Sequence, residues 1–242
     1  SILKSYALIT VMGCTFDGNI AIKYEGGGFY VGRCDRLSFF NVSFFHNKAE
    51  LNNGGGMSVY TLKIFISTRT LFSSNTASMG GGLSVKNGET IRMKSSSFIK
   101  NRVRDSGGGI YMQYNEADSN NLGTDLFLQN SHLLAAMIDC FFEGNHALNE
   151  NGAAVYIKNC PIVSFFNGRF FQNQAGKHGG VVYLQKSLKV SVINCYIFKN
   201  EAREFGGALC LEECLKLYIL KCLFFKNNAI KNGGSIYIDE LY

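Results

Sequence analysis

Residues 188–214 read LKVSVINCYIFKNEAREFGGALCLEEC, and residues 215–241 read LKLYILKCLFFKNNAIKNGGSIYIDEL. Laid one above the other, the lines match without a gap: Leu188 over Leu215, Cys195 over Cys222, Phe198-Lys199-Asn200 over Phe225-Lys226-Asn227, Gly206-Gly207 over Gly233-Gly234. A fixed period in this range marks units that stack on one another, and it decides the architecture before any single element does.

The repeat runs back through the chain. An apolar residue followed three positions later by Asn recurs as Phe16/Asn19, Phe44/Asn47, Phe72/Asn75, Phe98/Asn101, Phe142/Asn145, Phe170/Asn173, Ile197/Asn200 and Phe224/Asn227. The Asn-to-Asn steps, by subtraction, are 28, 28, 26, 44, 28, 27 and 27. A small-residue block follows each Asn, from Gly26-Gly27-Gly28 to Gly233-Gly234. Each block opens a short alternating run such as Ile110-Tyr111-Met112 or Val155-Tyr156-Ile157. These runs are short, β-branched or aromatic, and bounded by Gly, which predicts strands. A second run, such as Leu188 to Val192, precedes each Asn motif and makes about three short strands per repeat.

Strands at ~3.3 Å per residue that pair with the next copy ~4.8 Å away close into a circuit. The pattern therefore predicts an all-β chain: a parallel β-helix of about eight coils of about 27 residues, one solenoid over residues 1–242. Its length is roughly 40 Å by strand spacing. Leucine-rich repeats lack a match for want of their Leu framework, helical repeats for want of helix formers, and propellers for want of a longer period. No coil buries its own apolar face; stacking makes the core.

Each motif residue has an architectural task. Stacked Asn amides form a ladder in which each NH2 meets the next oxygen, as in other in-register stacks. Gly permits tight bends, and Phe stacks in the core beside the Asn corner. Five residues before each ladder Asn lies a column of small residues, among them Cys14, Cys140, Cys195 and Cys222. Buried free thiols are the plain expectation for these cysteines. Cys195–Cys222 and Cys210–Cys214 are the pairs that a disulfide would use.

The composition agrees. Pro is 1 and Trp 0, hydrophobic residues are 46%, and charged residues are 17%. That excludes disorder and coiled coils. A net charge of +6 spread along the chain leans toward anionic surfaces without making a case for nucleic acid. No run of about 18 apolar residues marks a membrane span. There is no CxxC, and Cys210 and Cys214 have no second pair at zinc spacing, so no metal or cofactor is expected.

The long step between Asn101 and Asn145 places a loop insertion at about 113–137. Its Glu116, Asp118 and Asp125 are candidates for a cation or sugar site, because loops on rigid scaffolds often carry function. Tyr30, Tyr111, Tyr156, Tyr183 and Tyr237 share one outward phase and form a candidate face for sugars or a partner, or simply a cross-strand stack. Lys100, Lys199 and Lys226 share another. Asn41-Val42-Ser43 is a glycosylation sequon. No nucleophilic triad is evident.

Phe142 to Asn145, Phe170 to Asn173, Phe224 to Asn227 and Gly206-Gly207-Ala208-Leu209 resemble the repeats of chlamydial polymorphic outer membrane proteins. Similar right-handed β-helix repeats occur in very large surface proteins of ciliates and other protists. The Gly-Gly-Ala-Ile block of that family is loosened here, with Gly, Val or Ser often in place of Ala. The resemblance implies a right-handed pectin-lyase-like solenoid and an extracellular or cell-surface structural or adhesive role.

Three functions follow. One is a structural or adhesive segment of a surface protein or filament, joined to adjoining repeats or to other copies through open ends, with glycans or cell-surface molecules as partners. The second is a carbohydrate-binding module. The third is a pectate-lyase-like enzyme, which would need clustered acidic and basic groups on one face. Here the acidic residues are scattered, so the first reading leads.

Overall fold

The computed structural model describes residues 7–114 and 134–241. Every described strand is paired in parallel with the equivalent strand of the next turn, in a 12-stranded sheet and two 8-stranded sheets. The chain is a parallel β-helix of about eight turns, and no helix occurs among the described residues.

The 12-stranded wide sheet carries the runs after the Gly blocks. In four turns the two runs expected from the sequence are one continuous strand: Phe29–Phe40, Met57–Thr68, Val182–Ile193 and Leu209–Leu220. The last two bend midway, where Lys186 (φ 57°) and Glu213 (φ 51°) take the left-handed conformation. One turn is split at Asn87 (φ 55°) into Leu83–Lys86 and Gly88–Lys94, and another into Val155–Lys158 and Ile162–Phe166. Pro161, the single proline, lies in that break and has no N–H to give the ladder. The expected insertion is narrower than 113–137. Gln113 closes the strand Ile110–Gln113, and Leu134–Ile138 is a core strand in register with Ile162–Phe166.

The second sheet is built from three-residue strands that carry the Phe column, from Thr15–Asp17 to Leu223–Phe225. Its inward rings stack face to face from Phe16 through Phe44, Phe72, Phe98 and Phe142 to Phe170, with centroids 4.8–5.0 Å apart. The third sheet, of two-residue strands, turns one inward position to the core. Ala21, Ala49, Ala77, Val103, Ala147, Ala175, Ala202 and Ala229 fill it. Small side chains there let the third sheet approach the stack of rings.

Corners set the cross-section. Between the wide sheet and the Phe sheet stand Asn41, Asn167 and Asn194, with φ of 54°, 52° and 54°. Asn tolerates the left-handed region better than most residues. The Gly blocks make the corner that returns to the wide sheet. A Cβ on Gly27 would stand 2.5 Å from the carbonyl oxygens of both Gly55 and Lys48, so successive turns touch backbone to backbone there.

Candidate functional site

The eight motif asparagines form one column. The Nδ2 of each donates to the Oδ1 of the next, at 2.9–3.1 Å throughout, from Asn19 through Asn47, Asn75, Asn101, Asn145, Asn173 and Asn200 to Asn227. The same Oδ1 accepts the backbone N–H of the preceding rung, as in Asn101 N to Asn145 Oδ1 at 3.1 Å. The second amide hydrogen goes to a backbone carbonyl one turn back. Asn47 Nδ2 reaches the Phe16 oxygen at 2.8 Å, Asn75 Nδ2 the Phe44 oxygen at 3.0 Å, and Asn145 Nδ2 the Phe98 oxygen at 2.9 Å.

Every interior rung thus uses both hydrogens and both lone pairs while fully buried, which a buried amide needs to avoid a desolvation cost. Asn47, Asn75, Asn101, Asn145, Asn173 and Asn200 are interior structural groups, the ladder that the stacked motif predicts. All six have no solvent-exposed surface, so no ligand can touch them. Only the end rungs reach solvent, Asn19 exposed and Asn227 half-buried. The interior ladder has no valence left for a ligand.

The tyrosine column differs from the exposed row that alternation predicts. Tyr30 is 55% exposed, but Tyr111 and Tyr183 are 6% and 5% exposed. Tyr111, Tyr156 and Tyr183 stack with centroids 5.0 and 5.2 Å apart, so their faces meet one another and offer no platform to a sugar ring. Burial pushes the Tyr111 phenol up to about 12. Tyr237 stands half-buried at the far end, and the other members are small: Ser58 and Ser84 below, Cys210 above.

The two serines open a notch, and a side chain crosses it. Lys86 Nζ reaches Glu25 Oε1 at 3.0 Å, and Glu25 also accepts from Asn53 Nδ2 at 3.2 Å and from Ser58 Oγ at 3.0 Å. Farther up, the Tyr183 hydroxyl donates to Glu212, and Gln185 Nε2 donates to Glu213 at 3.1 Å. His178 lies over Phe205 at 5.0 Å, and Phe205 lies over Tyr237 at 4.6 Å. Desolvation holds the His178 imidazole below its ordinary range. These contacts tie neighbouring turns together. Among the described residues no three His, Cys, Asp or Glu side chains are placed to hold a metal.

All eight cysteines are free, so neither of the two candidate pairs is bridged. Cys195 and Cys222 sit in one column with parallel Cβ directions, about one strand spacing (~4.8 Å) apart. A disulfide needs Cβ atoms nearer ~3.8 Å. The Cys222 sulfur instead accepts the Cys195 N–H at 3.4 Å. Cys210 and Cys214 belong to different columns, beside Tyr183 and Ser187. Burial pushes the Cys140, Cys160 and Cys195 thiols up to about 12.

Asn41 is exposed at its corner, ahead of a fully buried Val42 and a half-buried Ser43 in the strand Ser43–Phe45. Glu116, Asp118 and Asp125 lie outside the described residues. Lys100, Lys199 and Lys226 occupy one left-handed corner, with φ of 52–54°. Lys199 and Lys226 each lie 5.1 Å over the ring of the preceding Phe. Two features escaped the sequence reading. The Ala column had a signal, an Ala two residues after most ladder asparagines. The outer face of the Phe sheet had one too, in Phe171, Phe198 and Phe225, which meet one turn apart, the first pair edge to face and the second face to face.

No family model and no solved structure matches the chain. The metabotropic glutamate receptor-like protein R of Dictyostelium discoideum is 24% identical over 166 residues, which cover 68% of this chain and 9% of that protein. The chain therefore spans under a tenth of the length of the curated relative it matches.

Proposed function

We propose that the chain is an extracellular structural or adhesive β-helix segment of a surface protein or filament, extended at its ends by adjoining repeats or by further copies. The observation that carries this reading is the ladder. Its polar groups are spent on joining turns, and its end rungs keep the same chemistry: Asn19 points an Oδ1 and Asn227 an N–H and an amide hydrogen toward the place of a further rung. Adjacent repeats add stability through their shared interface in such arrays. The loosened likeness to the chlamydial repeats supports a surface location. The buried tyrosine stack removes the main support for a sugar-binding reading, and the dispersed acidic groups give little to an enzymatic one.

The test appends a second copy of residues 215–241 after residue 241. If the end face accepts a turn, the longer chain unfolds at higher temperature and denaturant concentration, with a proportionate gain in β signal. An appended repeat that stays unstructured, or that leaves the midpoint unmoved, defeats the proposal. Depolymerisation of an acidic polysaccharide by the chain would replace it with the enzymatic reading.

A further inference from the structure

Beyond its bend, each strand of the wide sheet presents three outward positions, and the register stacks these into three columns. One runs through Arg36, Ile64, Thr90, Leu134, Ile162 and Lys189 to Lys216. The second contains Ser38, Arg92 and Tyr218, and the third Phe40, Lys94, Phe166 and Leu220. No Asp or Glu occupies any of the three columns in any described turn. Five cations do: Arg36, Arg92, Lys94, Lys189 and Lys216, all exposed, and none of them makes an ion pair among the described residues. The acidic groups nearby stand on the rims, where Asp35 pairs with Lys63 at 2.8 Å and Glu89 and Asp139 flank the sheet.

The same face exposes large apolar side chains. Phe40 is 42%, Ile138 38%, Phe166 43% and Leu220 54% exposed, and they share the column next to the Asn corner. Leu220 and Tyr218 belong to the terminal strand of that half, whereas Phe40, Ile138 and Phe166 lie on strands paired on both sides. Ile138, Phe166, Ile193 and Leu220 follow one another on successive turns, and Phe40 lies beyond Thr68 and Lys94 in the same column; a run of exposed apolar surface of this kind marks an interaction site rather than ordinary scatter.

We propose that this face docks on a lipid bilayer that carries anionic headgroups. The cations lie over about 29 Å of the axis, from the second turn to the eighth, by strand spacing. Headgroup phosphates and carboxylates satisfy them, while the Phe40–Leu220 column enters the boundary between headgroups and acyl chains. Long Lys and Arg stems reach past such a column to the headgroup level. A soluble polyanion would satisfy the cations and leave the apolar column in water. A lipid surface uses both, and the sheet is already rigid, so docking orders little backbone. The inference rests on this face alone and holds whether or not turns are added at the ends.

The experiment is cosedimentation of the 242-residue chain with phosphatidylcholine vesicles, with and without roughly a third phosphatidylserine. Binding is expected only with phosphatidylserine. Arg92→Gln with Lys94→Gln should weaken it about thirty-fold, from the contribution of two basic groups at a charged surface. Phe166→Ser with Leu220→Ser should weaken it about ten-fold, by loss of apolar burial. All are exposed positions, and circular dichroism melts verify that the variants fold. Lys177→Gln with Lys231→Gln, away from this face, should leave binding unchanged. Equal binding to pure phosphatidylcholine overturns the proposal, as does an equal loss in the Lys177/Lys231 variant. Insensitivity to Phe166→Ser with Leu220→Ser, together with tight heparin binding, shows a polyanion site instead and overturns it too.

Discussion

Replacing one interior rung of the ladder should cost several times more than replacing the last. Asn145 is fully buried, and its Oδ1 accepts both the Asn101 N–H and an Asn101 amide hydrogen, each at 3.1 Å. Its own amide gives one hydrogen to the Phe98 oxygen and one to Asn173 Oδ1, each at 2.9 Å. Asn145→Ala strips the two Asn101 donors of that acceptor in a region without solvent. At ~1–3 kcal/mol for each of these two buried groups left unpaired, the loss is about 2–6 kcal/mol. Asn227→Ala frees the Asn200 N–H and amide hydrogen and the Ile197 oxygen, in a half-buried setting where water can replace the partner, and should cost about 1 kcal/mol. Asn145→Asp separates the donor role from the acceptor role. The carboxylate still accepts from Asn101 but sets an oxygen against the Phe98 and Asn173 oxygens, so burial and repulsion raise its pKa above the ordinary ~3.9. A group whose folded pKa is raised contributes stability that is complete below the unfolded value and is lost as pH rises through the folded one. Asn145→Asp should therefore be destabilised at neutral pH and recover part of the loss on acidification, relative to Asn145→Ala. Urea unfolding followed by far-UV circular dichroism reads all three. Equal costs for Asn145→Ala and Asn227→Ala would show that the ladder does not hold the turns together.

Other positions test other parts of the architecture. Ala175→Leu should cost about 1–3 kcal/mol by overfilling the narrow third sheet. Ala147→Val should cost little, because Val103 already occupies the same column one turn below; urea midpoints of the two variants compare them directly. Thiol labelling of the folded chain should modify Cys14 first and the half-buried Cys222 next, with the buried thiols reacting only after denaturation, as mass spectrometry of timed quenches would record. Burial holds the imidazoles of His178 and His146 below the ordinary range, so the unfolded chain takes up protons first as pH falls through about 6.5. Stability should be complete above that pH and decline below it, and His178→Phe should flatten part of the decline in melting temperature between roughly pH 7 and pH 5.

The columns that point inward were legible because burial at a fixed phase admits few side chains. Asn was readable at all eight positions of its column, and Phe at seven of eight, with Ile197 in the remaining place. What the spacing could not show was how completely Asn47 and Asn75 are enclosed, since that depends on the turns above and below them. Outward columns were less legible. Alternation shows which way Tyr111 and Tyr183 leave the strand and says nothing about what lies beside them. Ser58 and Ser84 leave room for Lys86 to cross to Glu25, and each tyrosine packs on the next, so outward residues became buried ones. The cysteine pairs failed for a related reason. Sharing a phase brings Cys195 and Cys222 one above the other, but parallel stacking fixes their Cβ atoms at strand spacing, which suits a hydrogen bond and not a covalent one.

The same asymmetry locates function in a solenoid. Asn145, Phe142 and Ala175 cannot be exchanged for side chains of another polarity or a much different size without orphaning a hydrogen bond, opening a cavity or overfilling a sheet, so the repeated motif carries architecture in every turn. Recognition must then fall to positions that the repeat leaves free, and no local motif marks those, because neighbours on the surface come from residues about 27 apart in the chain. Arg36 and Arg92 are two turns apart on one face, yet no short window of sequence contains both. The absence of acidic residues from that face is likewise a property of three columns and is invisible along any single strand. A solenoid of this kind is read for structure along the chain and for function across it.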